Sequence, residues 1–371
     1  MYLRRVAAAA AAALSVCAAG SAQAGVVELN EGLDTLRAWN SITFGNLTSG
    51  HDTFGRAFVG GNYSGTTEFF AKPGASAKPG LVVVGDVTGG DVKIENGGGA
   101  IVGGSQTGGK ILLHDGGDLV VGGNVNGVSG SAGATITVGG TASNVDTNGA
   151  VTVVGAVGPG NFNGPKTIQA DNAADGIQAN MILEREAMRS NLVGLSDYFS
   201  TLTKTDTASI AMNGSTFEVT SGADLAVFWI DDFMSLINSD PVFKINGADT
   251  VVINVKGKVI DTEFNFVGSE AAKMAWAPHV IWNFYEAQTV NIDRAFWGTI
   301  LAPLAIGTNS SEITGTAVFA TFNQNAQMHI PGYGGKLVFT AVPEPATWAM
   351  MIMGFGAAGS ILRRRRMALA A

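Results

Sequence analysis

The sequence predicts a mostly β fold, a β-solenoid with one long α-helix packed alongside. Between residues 81 and 158 a short apolar strand that ends in glycine returns every 16 to 19 residues, a period that suits one coil of a solenoid. Glycine supplies 51 of the 371 residues, whereas its usual share is roughly 7%. From about Lys166 to Leu202 the apolar period changes to that of an amphipathic helix.

The repeated strands share a run of branched apolar residues closed by glycine. They are Leu81–Gly85, Ala100–Gly103, Leu119–Gly122, Thr135–Gly139 and Val151–Gly155, with an earlier copy at Arg56–Gly60. Second short strands, Val92–Glu95 and Lys110–Leu113, lie between some copies. One coil cannot bury its apolar face alone, so stacking creates the core. Because glycine accepts positive φ without a Cβ clash, we expect the closing glycines to permit tight turns between coils.

The segment after the repeats has apolar residues at spacings of 3, 4 and 7. They are Ile177, Met181, Met188, Leu192, Leu195, Phe199 and Leu202. A helix of about 30 residues would be roughly 45 Å long. That length spans several coils stacked about 4.8 Å apart, so we expect the helix to cover one face. Gly194 is its one weak position.

Strand patterns resume after the helix and continue to the end of the domain. They cover residues 224–230, 250–255, 258–260, 279–287, 289–292, 296–303, 313–319 and 336–339. If these strands share a sheet with the first half, residues 25–342 form one domain and the helix is an internal excursion.

The N-terminus has the three parts of a secretory signal peptide. Arg4 and Arg5 precede an Ala-rich apolar run, and Ala22-Gln-Ala24 supplies a cleavage site, so residues 1–24 are predicted to be removed. Cys17 is the only cysteine. It could belong to a lipoprotein acylation box, although Val16 is bulky for one. The mature chain would contain no thiol, which excludes disulfides and thiol catalysis.

The C-terminus carries a second processing signal, predicted to cover residues 343–371. A Pro-Glu-Pro motif is followed by tryptophan, a short apolar run and an arginine cluster. These parts are Pro343, Glu344, Pro345, Trp348, the apolar residues 346–362, and Arg363, Arg364, Arg365 and Arg366. The apolar run is at the short end for crossing a bilayer, and the arginines would hold the end in the cytoplasm.

This tail resembles the PEP-CTERM sorting signal of Gram-negative bacteria. The resemblance implies recognition by a membrane-embedded exosortase, cleavage near Pro343–Pro345, and only transient anchoring in the inner membrane through residues 346–362. A plain tail anchor is the alternative. Without both signals the chain has 16 basic and 29 acidic residues, a net charge of −13. Such a surface repels nucleic acid and suits an extracellular space.

Four blocks of the body resemble the choice-of-anchor A family. They are Ser41 to Leu47, Gly55 to Asn62, Trp282 to Phe284 and Gly298 to Pro303. The family consists of exported bacterial proteins with one shared body, often attached through a PEP-CTERM tail. The resemblance implies an adhesive domain with no established catalytic residues. The last block also looks like the closing coils of bacterial β-solenoids that include ice-binding proteins.

Several residue patterns could carry chemistry, but each has a simpler interpretation. Gly104 to Lys110 fits a phosphate-binding loop except that Ile111 replaces the magnesium-binding Ser or Thr, so we interpret it as a repeat turn. The histidines, His51, His114, His279 and His329, show no metal-ligand spacing. The threonines of Thr135-Ile-Thr137 resemble an ice-binding pattern, but the copies that begin at Leu81, Ala100 and Leu119 show valine or isoleucine at this position.

Acidic and aromatic residues leave two further possibilities open. Calcium, which prefers oxygen ligands, could bind aspartates in the turns: Asp86, Asp91, Asp115, Asp118, Asp231, Asp232 and Asp249. A solvated acidic rim is the simpler interpretation. The tryptophans are interpreted as core residues rather than a carbohydrate platform: Trp39, Trp229, Trp276, Trp282 and Trp297.

We therefore expect an exported, non-enzymatic adhesin of the cell surface or extracellular matrix of a Gram-negative bacterium. Its expected partners are the exosortase and an extracellular polysaccharide or other cell-surface ligand, as in a biofilm. No catalytic, cofactor-binding or metal-binding residue is assigned. A carbohydrate-active enzyme, a polysaccharide lyase or hydrolase on a β-helix, is the alternative. An ice-binding protein is a lesser one.

Overall fold

The computed structural model describes residues 25–340 except 73–78, 132, 164, 169–173, 175, 211–213 and 237–238. The chain divides into two units, residues 32–337 and the terminal segments 1–31 and 338–371. In the terminal unit the Asn30 side chain donates to Phe339 O at 2.9 Å and accepts from Phe339 N at 2.8 Å. The predicted processing residues, Ala22, Ala24 and all those from Pro343 to Arg366, lie outside the described residues.

Within the described residues the fold is mostly β, with three α-helices. The helices are α1 (residues 25–38), α2 (Ile177–Thr201) and α3 (Glu270–Trp276). The strands before α2 are β1 (Ser41–Thr43), β2 (Leu47–Ser49), β3 (Ala57–Val59), β4 (Tyr63–Phe69), β5 (Leu81–Val83), β6 (Val87–Ile94), β7 (Ala100–Val102), β8 (Ile111–Leu113), β9 (Asp118–Val121), β10 (Val125–Gly130), β11 (Thr135–Val138), β12 (Ala142–Thr147), β13 (Val151–Val153), β14 (Phe162–Asn163) and β15 (Lys166–Ile168).

The strands after α2 continue the same architecture. They are β16 (Thr216–Glu218), β17 (Leu225–Ile230), β18 (Val242–Lys244), β19 (Thr250–Val255), β20 (Val259–Thr262), β21 (Val280–Asn283), β22 (Thr289–Ile292), β23 (Phe296–Trp297), β24 (Thr299–Asn309), β25 (Ile313–Thr314), β26 (Ala317–Gln324) and β27 (Met328–His329). Short 3-10 helices cover Phe233–Leu236 and Ala277–His279.

Before α2 the strands pair in parallel with the strand two positions further along the chain, whereas after α2 strand β21 pairs with β24. The odd-numbered strands β1 to β15 form one such series, in which Leu81 pairs with Ala100 and Ala100 with Leu119. The even-numbered strands form a second series. The predicted repeats therefore lie one on the next. In the described chain, 22 strands join one sheet.

Strand β26 connects the two halves of the chain. Its residue Val318 pairs with Ile42 of β1 on one side and with Leu301 of β24 on the other. Its later residues pair with β2 in the same way. The two halves therefore share one sheet, as the sequence predicted, and α2 is an excursion between them.

The core is built from the inward-pointing residues of each strand. Before α2 these are small branched residues such as Val83, Val102 and Val121, all fully buried. After α2 the centre is Trp282, which is fully buried. In the described residues its ring centroid lies 5.5 to 6.5 Å from those of Phe217, Phe233, Phe243, Phe264, Phe266, Phe284 and Phe296. Aromatic contacts of this kind add to the stabilisation from area burial alone.

The glycines that follow the repeated strands have a different role from the one expected. Positive φ occurs at other glycines, such as Gly89 and Gly117, not at the closing glycines Gly103 and Gly122. A Cβ at Gly103 would clash with Val84 O, and one at Gly122 would clash with Gly103 O. Glycine is needed there because the backbones of successive levels approach too closely for a side chain.

Helix α2 begins at Ile177, later than the predicted Lys166. The reason is that Lys166–Ile168 pairs with β13 and extends the sheet. Gln178 Nε2 donates to Val84 O at 3.1 Å, whereas Asn254 Nδ2 donates to Phe199 O at 2.7 Å. The helix therefore lies across several strands, and Gly194 does not interrupt it.

A bend separates β1 from β2 within the block Ser41 to Leu47. One other expectation of secondary structure differs from the structure. Residues 336–339 form no strand, and Leu337 O accepts from Arg37 Nη2 at 2.7 Å instead of from a neighbouring strand. No helix among the described residues is long and apolar enough to cross a membrane, and residues 346–362 are not among them.

Candidate functional site

One side of the sheet carries a continuous row of small hydrogen-bonding side chains from both halves of the chain. Residues paired across adjacent strands are, in order, Asp261, Asn291, Thr308, Asn323, Thr48, Ser64 and Thr88. Isolated parallel β-bridges join Gln106 to Val87 and to Val125, so the next residues, Thr88, Thr107 and Asn126, are also neighbours. Asn126 in turn pairs with Ser143. We call these ten residues the outer row.

Strand geometry explains why the outer row is exposed. All ten side chains are exposed or half-buried, whereas the residue before each one, such as Leu47, Tyr63 or Val87, is buried. Successive side chains in a strand point to opposite faces, and neighbouring strands lie about 4.8 Å apart. The outer row therefore presents ten polar groups over roughly 43 Å at regular intervals.

A second row of side chains, two residues earlier in each level, fixes this spacing. Its members are Asn46, Asn62, Asp86, Ser105, Asn124 and Thr141, which we call the polar ladder. Each side-chain oxygen accepts the backbone N–H of the next member, at 2.9, 2.9, 2.7, 3.0 and 2.8 Å in turn. In each level only one buried residue separates the polar-ladder residue from the outer-row residue. The polar ladder therefore also holds the outer row in register.

Much of the hydrogen-bonding capacity of the outer row is available to a ligand. Among the described residues the hydroxyls of Thr48, Thr107 and Thr308 have no hydrogen-bond partner, whereas Asn291 Nδ2 donates to Asp261 Oδ1 at 2.6 Å. The row contains no aromatic residue and one carboxylate, Asp261. Its chemistry is therefore hydrogen bonding to regularly spaced polar groups, not ring stacking or charge pairing.

A separate feature is a cavity of about 520 Å³ near the end of α1. Aromatic rings and two arginines dominate its wall, and we call it the arginine cavity. Its main lining residues are Arg37, Trp39, Arg56, Phe70, Pro278 and Tyr333. The Arg56 guanidinium lies 3.8 Å from the Trp39 ring centroid, and Arg37 lies 5.5 Å from that of Tyr333. Such stacking fixes the planes of both guanidinium groups.

Backbone carbonyls hold the arginines from behind. Arg56 Nε donates to Pro79 O at 2.7 Å, and Arg37 Nε donates to Gly335 O at 2.6 Å. Burial lowers the pKa of Arg56, and the negative charge of Glu184 opposes that effect. Arginine remains protonated at neutral pH despite such a shift. Burial also raises the pKa of Tyr333, whose hydroxyl lies 2.7 Å from that of Thr250.

The structure does not bring the predicted histidines together. His114 Nδ1 contacts Glu95 Oε1 at 2.8 Å, His279 Nδ1 contacts Asp249 O at 2.7 Å, and the His329 ring stacks on Phe54. The described residues contain no group of three His, Cys, Asp or Glu that could hold a metal ion.

Four of the seven aspartates considered for calcium accept hydrogen bonds from backbone amides, namely Asp86, Asp91, Asp232 and Asp249. Asp86 Oδ1 accepts from Ser105 N at 2.7 Å, and Asp91 Oδ1 accepts from Lys110 N at 2.7 Å. The latter bond lies in the glycine-rich string Gly104 to Lys110, which leads into strand β8 and not into a helix. That string is therefore a turn between levels.

Four of the five tryptophans among the described residues are core residues, as predicted. Trp39, Trp276, Trp282 and Trp297 are at least nine-tenths buried, and half-buried Trp229 donates its indole N–H to Leu202 O at 3.1 Å. Trp39 also lines the arginine cavity. A function for that position was not expected from the sequence.

The outer row was not predicted from the sequence because the repeats were defined on the odd-numbered strands, whereas before α2 the outer row lies on the even-numbered series. Thr137 lies in the odd-numbered series, between Val120 and Thr152. A pattern that could have revealed the outer row comes directly after the glycines. It is a repeated triplet in which a buried residue lies between two polar residues. The triplets are Asn46-Leu-Thr48, Asn62-Tyr-Ser64, Asp86-Val-Thr88, Ser105-Gln-Thr107, Asn124-Val-Asn126 and Thr141-Ala-Ser143.

Comparisons with known proteins bear on the same residues. A family described as "Putative Ice-binding-like adhesive domain" matches residues 32–118 and 110–330, which include the whole outer row. The PEP-CTERM protein-sorting motif matches residues 341–366. These matches confirm the resemblance to an adhesive body followed by a sorting tail. No curated protein matches the sequence.

One solved structure is similar over much of the chain. It is the crystal structure of an ice binding protein from an Antarctic bacterium Flavobacteriaceae, at 13% sequence identity and a TM-score of 0.23. The match covers 82% of this chain and 99% of that chain.

Proposed function

Because the chain belongs to the ice-binding-like adhesive domain family and ends in a PEP-CTERM sorting motif, we propose that it is an exported adhesin that binds an extended polysaccharide through the outer row. The observation that carries this proposal is the unbroken register of ten polar residues across strands from both halves of the chain.

The chemistry of the outer row matches that of a sugar polymer. Hydroxyl and amide side chains both donate and accept hydrogen bonds, as sugar hydroxyls do. An extended β-linked hexose chain repeats at an interval close to the spacing of strands, so that successive sugars can meet successive levels. Each bond contributes only about 1 kcal/mol. Many bonds along one polymer add up to firm attachment.

The architecture proposed for this surface is a β-solenoid. Support comes from the odd-numbered strands β1 to β15, each of which pairs in parallel with the strand two positions later. Such winding produces a long face from short strands, and it suits adhesion because α2 leaves the outer row uncovered. No catalytic step is included in the proposal.

Delivery is proposed to require both terminal signals. An exosortase would cut near Pro343–Pro345 while residues 346–362 lie in the inner membrane, and it would release the body to the outer surface or matrix. The test replaces Pro343, Glu344 and Pro345 with alanine and compares the C-terminal mass of the secreted protein. A shortened wild type and an uncut variant would support the proposal. An identical product from both would contradict it.

Adhesion is tested with the secreted protein and the exopolysaccharide of the bacterium that produces it. Co-sedimentation should show saturable binding, and an assay for reducing ends should show no turnover. Catalytic release of reducing ends would favour the carbohydrate-active enzyme instead. Shaping of ice crystals by a protein that fails to bind the polymer would favour the ice-binding alternative.

A further inference from the structure

We propose that the arginine cavity is a second binding site, which takes a sugar that carries a carboxylate, such as a uronic acid. The proposal goes beyond adhesion through the outer row, because it rests on different residues and on charge as well as hydrogen bonding. A cavity of about 520 Å³ falls within the size range of small-molecule sites.

The inner wall of the arginine cavity is apolar and rigid. Trp39, Phe70 and Tyr333 are only 8%, 7% and 3% exposed, so their positions are fixed by the core. Aromatic faces pack well against the C–H faces of a sugar ring and leave its hydroxyls and carboxylate pointing away. This wall explains selection of a ring-shaped ligand and not of a small inorganic anion.

The two guanidinium groups supply the charge that a carboxylate needs. Arg37 has five N–H donors, of which described residues accept three, at Gly335 O, Leu337 O and Asp34 Oδ1. The Arg37 guanidinium also hydrogen-bonds to the Tyr333 hydroxyl, which leaves one Arg37 donor for a ligand. A guanidinium binds a carboxylate through two parallel hydrogen bonds, which a lysine ammonium cannot reproduce.

The arginines are ordered before any ligand binds. Stacking on Trp39 and contacts with backbone carbonyls restrict Arg56, so little side-chain entropy is lost on binding. The Arg37 side chain is 27% exposed, which leaves it accessible. Its partner Asp34 is 75% exposed on the α1 surface and does not line the cavity.

The negative net charge of the chain favours a local cationic site for the binding of an acidic sugar. The chain has a net charge of −8, which opposes the approach of polyanions to most of its surface. The two arginines beside the apolar wall provide a local positive charge on this otherwise negatively charged protein. An acidic sugar would therefore bind at this cavity and not along the whole face.

The experiment measures binding of glucuronic acid to the secreted protein by isothermal titration calorimetry. Its methyl ester, which keeps the ring and loses the charge, is the matched ligand. We expect the acid to bind at one site and the ester to bind at least about tenfold more weakly, since a charge-assisted bond contributes about 1.5–3 kcal/mol. Equal binding of acid and ester, or no binding of the acid, would overturn the proposal.

Two variants separate a binding role from a structural one. Arg56→Gln removes the charge, and Ala38→Leu fills the cavity without altering either arginine. Both should lose binding of the acid, and Ala38→Leu should do so with the melting temperature preserved. Arg189→Gln, at an exposed position on α2, makes the same charge change elsewhere and should bind normally. Retained binding in Ala38→Leu would place the ligand outside the cavity.

A glucuronate-terminated oligosaccharide distinguishes a free sugar from a chain end as the source of the ligand. Affinity equal to that of the free acid would show that only the terminal sugar enters, and higher affinity would show that neighbouring sugars also bind. If the protein binds the free acid but not the oligosaccharide, the cavity does not bind the end of a sugar chain, and that part of the proposal is overturned. Because neither arginine belongs to the outer row, failure here leaves polymer adhesion to be judged by its own assay.

Discussion

The side-chain oxygen of Asn62 accepts a hydrogen bond from the backbone N–H of Asp86 at 2.9 Å, although 24 positions separate the two residues in the chain. The same bond connects each member of the polar ladder to the next. Each level of the sheet is therefore tied to its neighbour at the point where the chain enters the outer row. Stability and binding geometry depend on the same contacts.

Replacing Asn62 with alanine should destabilise the fold modestly. The backbone N–H of Asp86 would lose its acceptor, which costs about 1 kcal/mol. Asn62→Asp keeps the acceptor and serves as the control, since Asp86 plays this role one level later. Urea unfolding measures the difference. Equal free energies of unfolding for the two variants would contradict the role of the polar ladder.

Gly123 and Gly194 should respond in opposite directions to a larger side chain. A Cβ at Gly123 would lie 2.8 Å from Gly104 O, so Gly123→Val should cost at least about 1–3 kcal/mol. A Cβ at Gly194, in the middle of α2, would meet nothing within 4 Å. Gly194→Ala should therefore stabilise the protein by about 0.5–1 kcal/mol. Thermal melting checks both, and an unchanged Gly123→Val protein would count against close stacking of levels.

Local sequence patterns were sufficient to predict the repeated strands. Leu81–Val83 and Ala100–Val102 are strands because branched residues alternate with glycine turns, and both signals are local. The start of α2 was misplaced because Thr167 and Ile168 extend the sheet by pairing with β13, which is a tertiary contact. The role of the closing glycines was also misassigned, because close approach between levels is not encoded within one level.

Asn283 is expected to be the most sensitive polar residue beneath α2. It is fully buried, donates to Ser196 O at 2.9 Å and to Asn254 Oδ1 at 2.8 Å, and accepts from Ser196 Oγ at 2.6 Å. Asn283→Ala would leave several buried groups without partners and should cost on the order of 3 kcal/mol.

Exposed Asn323 provides the matched control for that substitution. Asn323→Ala should leave the free energy of unfolding nearly unchanged, as measured by urea denaturation. A similar small effect for Asn283→Ala would mean that α2 is not held by this network.

His329 should make stability depend on pH. Burial lowers its pKa, and Lys72 acts in the same direction, whereas Glu312 and Glu270 oppose the shift. The unfolded chain, with an ordinary histidine pKa of about 6.5, therefore takes up a proton before the folded chain does. His329 therefore stabilises the folded state at a pH above the pKa of the unfolded chain. The free energy of unfolding falls as the pH drops below that value.

The substitution His329→Phe isolates this effect because it keeps a ring against Phe54 and removes the titrating group. Free energies of unfolding between about pH 7 and pH 5 should fall less steeply for the variant than for the wild type. Parallel pH profiles for the two proteins would show that the histidine does not contribute.

The binding surfaces were harder to predict than the strands. The outer row joins Thr48 to Thr308, and only the pairing of β2 with β26 and of β26 with β24 reveals that they share a face. The triplets after the glycines were visible in the sequence, but their alignment required the register. The arginine cavity combines residues as distant as Arg37 and Tyr333, which no local pattern connects.

The most direct test of adhesion through the outer row uses the triple variant Thr48→Val, Thr107→Val and Thr308→Val. Valine preserves shape and strand propensity while it removes three hydroxyls that have no partner among the described residues. Thr152→Val with Thr167→Val, on the odd-numbered strands, is the matched control.

Co-sedimentation with the host exopolysaccharide is the measurement. At about 1 kcal/mol for each lost hydrogen bond, the triple variant should bind on the order of a hundredfold more weakly, and the control should bind like the wild type. Both variants should melt at the wild-type temperature. Wild-type affinity in a folded triple variant would contradict adhesion through the outer row.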